Sequence, residues 1–518
     1  DFQPERMRLD PDSSKVVGSF WGGFPTAENL PFFNVEWKSN DQNNGVIIAA
    51  GWPARWKAQF KRDHNDGLST VIGQMHTHLI LHPGEEIRTP LIALLFWAGD
   101  RTESQNIWRR WMIAYNVPRQ RGTLPKSLLE AASSSFYAEM VHADDASQKM
   151  FISRYLEEGI KLDYWWMDAG WNPNKGHDWQ DLLGTWEADK TRFPNGLRVV
   201  SDYAHSQGVK TILWFEPERV VEGSWLYVHH PEWLLGDGGS RFFNHGNPDA
   251  NKWLTNHVDS ILTNERIDLY RQDFAVFSSG FWDAEDAAHP DRQGITEIKH
   301  VMGYLKFFDE LRRRHPDMLI DICAAGGKRL ELENLRRAVP LWRSDYAHEP
   351  VGVQSQTYGL AAWLPYSGTG VPVIDKYNFR SEMCPSTVLN LDARNKNADY
   401  KLLREMISQW RTISPDYYGD YYPLTSYSLE KDVWIGWEFY RPESGTGFVQ
   451  MFRRADSAKD SETFRLKGLD PNAVYKITDF DKNDSVTMSG KELLSKGLPL
   501  VILNKSEAKV IRLEKLRK

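Results

Sequence analysis

Several apolar stretches of this sequence end in charged residues that are suited to acid-base or nucleophilic catalysis. The stretch IDLYRQDFA, from Ile267 to Ala275, is mostly apolar and then presents Arg271 and Asp273, which face the same side of a strand because they are two residues apart. The same pattern recurs in DYWWMDAGW, TILWFEPER, MLIDICAAGGKR and LWRSDYAHE, which contribute Asp168, Glu216, Glu218, Cys323, Lys328, Arg329, Arg343 and Asp345. One such carboxylate is most often a helix cap or a structural acid. Several on successive strands converge on one site, where their repulsion argues against a purely structural role.

Converging carboxylates and aromatic residues, without clustered histidines, favour cleavage of a glycosidic bond. That reaction needs one carboxylic acid to protonate the leaving oxygen and one carboxylate opposite it. The 22 Trp residues fit this chemistry because indole faces suit the apolar faces of pyranose rings, although we expect most of them in the core. A metal site is the main rival, but His76 and His78 have strand spacing without an acidic partner in an evident catalytic context. We therefore expect neither a metal nor a cofactor.

The region that carries these residues, from residue 128 to about residue 415, alternates as strand, loop and helix. The predicted strands are EAASSSFY, LDYWWMDAGW, VKTILWFEPE, IDLYRQDF, MLIDICAAGG, PLWRSD and GTGVPVI. The predicted helices include ASQKMFISRYLEEG, NKWLTNHVDSILTNE and ITEIKHVMGYLKFFDELRRRH. An alternation of this length is the size of a (β/α)8 barrel, whose active site lies at the C-terminal ends of the strands. An open doubly wound sheet is less well supported, because no glycine-rich nucleotide loop opens a helix.

β-type patterns flank the barrel on both sides, so the chain is α/β with three predicted domains. Residues 1–118 form an N-terminal β domain, and a helical segment, SQNIWRRWMIAYN, leads towards residue 127. The catalytic barrel covers residues 128–415. Residues 416–518 contain VWIGWEFY, TGFVQMFRR, AVYKITDF and PLVILN, which predict a C-terminal β-sandwich.

The composition of the chain excludes several classes of binding partner. The net charge of -7 comes from interspersed residues without a basic block, which argues against nucleic acid. No apolar run approaches the ~20 residues that span a bilayer, which predicts a soluble protein without a membrane partner. Cys323 and Cys384 are too few for a disulfide framework. The first residue, Asp1, predicts a processed mature form or a trimmed sequence, with the compartment open between periplasmic or secreted and cytoplasmic.

Five motifs, in this order, resemble glycoside hydrolase family 36, the α-galactosidases and α-N-acetylgalactosaminidases related to family 27. They are YWWMDAGW, LWFEPE, RQDF, CAAGGKR and WRSD. RQD resembles the Lys-Trp-Asp-type motif of the family's nucleophile, which implies that role for Asp273. WRSD resembles the Trp-x-Ser-Asp motif of its acid/base, which implies that role for Asp345. The resemblance further implies retention of anomeric configuration, with the two carboxyl groups ~5 Å apart.

The resemblance also implies a set of substrate-binding residues. Asp168 resembles the first of an Asp-Asp pair that grips the 4- and 6-hydroxyls of galactose, and Arg271 stands where the family usually has Lys. The remaining members are Trp214 and Trp342 as aromatic walls, Cys323 and Gly326 as the turn beside C2, and Arg329. The implied partner is an α-galactoside or a related oligosaccharide or glycoconjugate. The N-terminal β domain is shorter than is usual in the family, so no oligomeric state is predicted.

Three departures from the family pattern remove hydrogen-bonding groups near the sugar. They are Ala169 for the second Asp of the pair, Ala275 for a common Asn, and Ala325 for a small polar residue. An unpaired hydroxyl costs about 1–3 kcal/mol, so galactose should be held less well than in a typical member. The favoured activity is that of a retaining exo-acting α-galactosidase. The alternatives are an α-N-acetylgalactosaminidase or another glycosidase for a galacto sugar altered at C2 or C6, and a non-catalytic carbohydrate-binding protein on a decayed barrel.

Overall fold

A parallel sheet lies at the centre of the computed structural model, which describes residues 2–39, 41–133, 139–274, 276–482 and 484–516. Its strands, in spatial order, are Leu319–Ile322, Leu269–Gln272, Lys210–Phe215, Tyr164–Met167, Leu128–Ala131, Ser386–Leu389 and Gly368–Val371. Every residue of the strand Leu269–Gln272 is buried, as are those of Tyr164–Met167. Both are buried because helices cover one face of the sheet and the barrel interior covers the other, but only YWWM is a continuous apolar run, since LYRQ ends in two polar residues.

Residues 339–343 close this sheet into a barrel without forming a regular strand. On one side the N–H of Val339 donates to the carbonyl of Ile320 (2.8 Å), and on the other the N–H of Arg343 donates to the carbonyl of Gly368 (3.0 Å). Within the described ranges, seven regular strands and this segment complete the ring. The predicted (β/α)8 barrel is therefore confirmed.

Local differences from the predicted strands follow from their length. The strand Ser386–Leu389 was missed because four residues, STVL, carry too little pattern to stand out. Predicted strands are longer than observed ones, so Asp168 and Asp273 follow their strands rather than belong to them. The predicted strand EAASSSFY overlaps the observed strand Leu128–Ala131 at Glu130 and Ala131, and its residues 134–137 lie outside the described residues.

Helices surround the barrel and precede it. The helix predicted between the N-terminal β region and the barrel spans Arg101–Trp111 and continues as a π-helical turn, Met112–Asn116. The helices of the barrel region are Glu139–His142, Asp145–Glu157, Arg198–Ser206, Trp225–His229, Pro248–Asn264, Ser279–Asp286, Ile295–Arg314, Leu332–Leu335, Pro350–Ala361, Lys376–Glu382 and Tyr400–Ile413, with short 3-10 turns at Ala169–Trp171, Pro231–Trp233 and Ser414–Tyr418. In the described part of the chain, no helix is both long enough and apolar enough to cross a membrane.

Antiparallel strands make up both flanking regions, as predicted. The N-terminal strands are Ser14–Ser19, Phe32–Ser39, Gln42–Gly51, Trp56–Arg62, Leu68–Gln74, His78–Leu79 and Leu91–Ala98. The C-terminal strands are Asp420–Pro423, Trp434–Arg441, Thr446–Arg453, Ser461–Phe464, Val474–Asp479, Ser485–Ser489, Leu498–Val501 and Glu507–Lys515, with one helix, Gly490–Ser495, in the described C-terminal residues. The strand Glu507–Lys515 was missed because charged residues interrupt its apolar positions. The exact domain boundaries stay predictions.

Two groups of shorter strands lie outside the main sheets. A small sheet of Arg219–Val221, Leu234–Leu235 and Ser240–Phe243 follows the third barrel strand. The strand Arg292–Gln293 pairs with His78–Leu79 and so links the barrel to the N-terminal β region by backbone hydrogen bonds.

A buried ion pair also joins the N-terminal β region to the barrel helix Ile295–Arg314. The Trp52 indole N–H and the Arg55 Nε–H each donate to the carboxylate of Glu297 at 3.0 Å. Arg55 donates in addition to both carboxylate oxygens of Asp283 (2.8 and 2.7 Å). Glu297 is fully buried, and this burial raises its pKa to about 7 although Arg55 and Trp52 lower it. Arg55 is therefore the charge that makes the buried carboxylate tolerable.

Arg55→Met should lower the free energy of unfolding by about 3–5 kcal/mol near pH 8, because it leaves the carboxylate of Glu297 buried without its cation. The pKa of Glu297 is raised in the folded state, so protons favour folding and the loss should shrink near pH 5, where this carboxyl is neutral in both proteins. Denaturant titrations followed by Trp fluorescence at both pH values measure the effect. Arg198→Met is the control, since its pair with Asp202 is about half exposed and should contribute less than ~1 kcal/mol. Equal losses at the two pH values would contradict the role of Glu297.

Candidate active site

A buried guanidinium lies at the C-terminal end of the fourth barrel strand. One amino group of Arg271 donates to Asp321, and the other donates to Oδ2 of Asp273 at 3.3 Å. The guanidinium also lies over the Trp166 ring, 4.2 Å from its centroid. Burial by itself lowers the pKa of Arg271, but the acidic groups around it raise that pKa well above its usual value. Arg271 is therefore a permanent cation that orients the acidic residues of this end of the barrel.

Asp321 was missed from the sequence. It pairs in register with Arg271 on the neighbouring strand, is fully buried, and accepts a hydrogen bond from the N–H of Leu341 (2.7 Å) in the segment that closes the barrel. Burial raises the pKa of Asp321, whereas Arg271 lowers it. The available signal was a lone acid within the apolar run LIDI, two residues before Cys323 and so facing the same side.

Asp273 is held by donors from three parts of the barrel. Its Oδ2 accepts from the Trp214 indole N–H (3.3 Å) as well as from Arg271. Its Oδ1 accepts from the backbone N–H groups of Phe274 (2.7 Å) and Ala325 (3.1 Å). The side chain is 20% exposed. The carboxylate is thus fixed in orientation while part of it stays accessible, as attack on a bound substrate requires.

Asp345 lies in a different environment. Its Oδ1 accepts from the indole N–H of Trp342 at 3.1 Å, and solvent reaches the side chain. Partial desolvation and, after it, repulsion from Asp273 raise the pKa of Asp345, although Arg271 lowers it. A neighbouring pair of carboxyl groups, one held by several donors and one with a raised pKa, is the arrangement from which a nucleophile and an acid can be assigned.

One turn reaches both carboxylate residues. The Cys323 thiol, fully buried, accepts from the N–H of Gly326 (3.2 Å), and the N–H of Ala325 donates to Asp273. Gly326 has φ +84°, and a Cβ there would lie 2.6 Å from the backbone N of Asp345. Only glycine fits this close approach in this conformation. The turn therefore brings Asp273 and Asp345 to one place.

The two predicted aromatic walls differ in accessibility. Trp214 is almost fully buried, with Trp179 perpendicular to it at 5.4 Å, so it contributes mainly its N–H to Asp273. Trp342 is half-buried and packs edge-on against Trp166 (6.4 Å) and His348 (5.7 Å). Of the two, Trp342 has the more accessible surface for a sugar.

Asp168 lies in the same electrostatic neighbourhood. Its Oδ1 accepts from the N–H of Ala169 (2.8 Å). Burial raises the pKa of Asp168, Arg271 lowers it, and Asp273 raises it, so these three charges influence one another. Ala169 is fully buried and brings only a methyl group, and Ala275 lies outside the described residues.

Arg329 and Glu218 lie behind the fourth strand rather than beside Arg271. Arg329 donates to Glu218 Oε2 at 2.7 Å, and the Gln272 amide donates to the same oxygen at 2.9 Å. Burial raises the pKa of Glu218, but Arg329 and then His300 lower it to about 2. Arg329 and Glu218 thus neutralise each other, and substrate binding by Arg329 stays a prediction. Among the described residues, no group of three or more His, Cys, Asp or Glu side chains could hold a metal ion.

Comparisons with known proteins give concordant matches. The profile of the Melibiase family matches residues 136–378, and that of the glycosyl hydrolase family 36 C-terminal domain matches residues 434–513. Alpha-galactosidase 1 from Pediococcus pentosaceus is 25% identical over 450 residues, which cover 80% of this chain and 59% of the relative. Alpha-galactosidase Mel36A from Lactobacillus acidophilus is 23% identical over 508 residues, which cover 93% of this chain and 67% of that relative. The chain therefore spans only about three fifths to two thirds of these relatives.

Solved structures share the fold. The crystal structure of the GH36 alpha-galactosidase AgaA from Geobacillus stearothermophilus superposes with a TM-score of 0.84 at 19% identity, over 99% of this chain and 73% of that one. The alpha-galactosidase from Lactobacillus brevis superposes with a TM-score of 0.82 at 17% identity, over 99% of this chain and 72% of that one. Identity at this level shows the fold alone. The two profile matches cover the region that carries Asp168, Asp273 and Asp345 and most of the C-terminal sheet, and together with the curated relatives they show that the chain belongs to glycoside hydrolase family 36.

Proposed function

We propose that this chain is a retaining, exo-acting α-galactosidase that hydrolyses terminal α-linked galactose. The observation that carries the proposal is the turn at Ala325 and Gly326, which binds Asp273 on one side and abuts the backbone of Asp345 on the other. Two carboxyl groups that share one turn suit a double displacement, which needs them close together. The relatives are named α-galactosidases, and variants of AgaA were solved in complex with stachyose and with raffinose.

In the first step of the proposed mechanism, Asp273 attacks the anomeric carbon and the bond to the leaving oxygen breaks. Asp345, whose raised pKa favours the protonated form, gives its proton to that oxygen. The product is a covalent glycosyl-enzyme with inverted configuration. In the second step, Asp345 takes a proton from water, the water oxygen attacks the same carbon, and Asp273 leaves. Two inversions give net retention.

The chain's own residues assist each step. Arg271 and the donors on Asp273 hold the attacking oxygen in place, so little reorganisation is needed in the transition state. In this proposal Asp168, which shares the electrostatic neighbourhood of Arg271 and Asp273, accepts hydroxyls of a galacto-configured sugar, and the half-buried Trp342 offers an apolar face beside Asp345.

A second candidate substrate is a galacto sugar altered at C6 or C2, including an α-N-acetylgalactosaminide. The observation that favours it is the buried methyl group of Ala169, which cannot supply a second carboxylate beside Asp168. A site without that acceptor loses less when the 6-hydroxyl is absent. The non-catalytic alternative is less favoured, because both Asp273 and Asp345 are present and held by indole donors.

Asp273→Ala should lower kcat on an aryl α-galactoside by about a thousandfold or more, because no covalent intermediate can form. Added azide should restore turnover by attacking from the vacated side, and the product should be the β-galactosyl azide, identified by NMR. Asp202→Ala removes an exposed surface carboxylate and serves as the control with near wild-type kcat. Wild-type-like activity of Asp273→Ala would exclude this nucleophile.

Asp345→Ala should impair raffinose hydrolysis far more than hydrolysis of an activated aryl galactoside, because only the poor leaving group needs a proton. Azide should here give the α-galactosyl azide, since it attacks the glycosyl-enzyme. In the wild type, kcat/KM should fall as the pH rises through the raised pKa of Asp345, and the variant should not show this decrease at high pH. Equal losses on both substrates would point to another acid.

Comparison of kcat/KM for four aryl glycosides tests the sugar preference. We expect the α-galactoside to exceed the α-glucoside, because Asp168 and Arg271 favour the axial 4-hydroxyl. The β-L-arabinopyranoside, which lacks the C6 arm, or the α-N-acetylgalactosaminide should approach or exceed the α-galactoside, because Ala169 and Ala325 lack polar groups. Preference for the α-glucoside would contradict the role of Asp168.

A further inference from the structure

We propose that Trp21 and Phe277 form an aromatic platform for the leaving-group sugar of an α-galactoside oligosaccharide, with Lys328 as its polar partner. The inference rests on the proposed function and extends it, because it assigns the part of the substrate beyond the bond that is cleaved. It also gives the N-terminal β region a part in the active site.

The segment that carries Trp21 is bound to the loop that follows the turn at Ala325 and Gly326. The Thr26 hydroxyl donates to the carbonyl of Gly327 (2.7 Å) and accepts from the N–H of Leu330 (2.9 Å). The N–H of Thr26 donates to the carbonyl of Lys328 (3.1 Å). Gly327 directly follows the glycine that abuts the backbone of Asp345. These bonds place the N-terminal segment at the rim of the candidate active site.

The same segment contacts the loop that follows the nucleophile. Ser278 lies five residues after Asp273 in the chain, and its hydroxyl donates to the carbonyl of Gly22 (3.3 Å). The Phe277 ring lies 4.3 Å from the Trp21 ring, centroid to centroid, at an interplanar angle of 69°. Trp21 therefore lies between the loop that follows Asp273 and the loop that follows the turn at Ala325 and Gly326.

The aromatic platform is open to solvent, whereas its support is not. Trp21 and Phe277 are each 50% exposed, while Phe24, 6.2 Å from Trp21, is 2% exposed. Two adjacent rings held by neighbouring loops and half in water are apolar surface that the core does not use. The apolar face of a pyranose is a suitable partner for such rings.

Lys328 lies near the aromatic platform and acts electrostatically on Asp345. Its Nζ lies 5.7 Å from the centroid of the Trp21 ring. It is also among the charges that lower the pKa of Asp345, so it acts on the side where the leaving oxygen is protonated. An ammonium group there can donate to hydroxyls of a sugar stacked on Trp21. The leaving group is therefore the part of the substrate that fits this position.

The test compares two substrates with the same galactosyl group. Raffinose has a sugar as its leaving group, whereas α-galactosyl fluoride has a single atom that cannot reach the aromatic platform. Trp21→Ala should lower kcat/KM for raffinose by about tenfold and leave that for the fluoride within about twofold. Trp21→Phe, which retains a ring, should recover most of the loss. Trp37→Ala, at another half-exposed Trp of the N-terminal β region, is the matched control and should affect neither substrate.

Each outcome decides the inference. Unchanged raffinose hydrolysis in Trp21→Ala overturns it, and so does an equal loss on both substrates, which would make Trp21 a support for the site as a whole. Failure of the wild type to cleave either substrate would instead overturn the proposed function, and this inference with it. A selective loss on raffinose, together with an unaffected Trp37→Ala, supports the aromatic platform.

Discussion

The pairing of the buried Arg271 with Asp321 and Asp273 organises the candidate active site at the C-terminal end of the barrel strands. A buried cation is tolerated only when carboxylates and hydrogen bonds replace its water. Arginine can meet this demand with two carboxylates at once, because its amino groups diverge in a fixed plane. Asp321, on the neighbouring strand, accepts from one amino group of Arg271, and Asp273 accepts from the other. Removal of either acid would leave the cation short of a partner, so the three residues act as a unit.

Because side chains alternate along a strand, neighbouring residues of the strand Leu269–Gln272 contribute to two separate layers. Arg271 stacks on Trp166 inside the barrel, whereas Gln272, the next residue, faces the surrounding helices and binds Glu218. The ion pair of Glu218 with Arg329 therefore lies behind the strand Leu269–Gln272. One layer carries the charges proposed for chemistry, and the other holds the strand in position.

The remaining parts of the site are set by loops that meet at the barrel rim. Gly326 allows its turn to approach the backbone of Asp345, and the N–H of Ala325 reaches Asp273. The N-terminal segment around Thr26 then binds the loop after this turn. The barrel supplies the carboxylates, while the N-terminal β region adds to the surface around them. The buried contact of Arg55 with Glu297 helps to hold that region on the barrel.

Local patterns in the sequence were enough to predict the barrel, the β character of both flanks and the charged residues at the strand ends. These features follow from local periodicity and from the rule that parallel strands present their C-terminal ends at one edge. The three-dimensional packing was needed to show that the predicted strand PLWRSD closes the ring as part of an irregular segment, residues 339–343, that Asp321 binds Arg271, and that Trp21 meets Phe277 at the rim. It also placed Arg329 against Glu218. Each of these contacts joins residues far apart in the chain, and such pairs leave no periodic pattern in a single sequence, because register and packing are set by the fold as a whole.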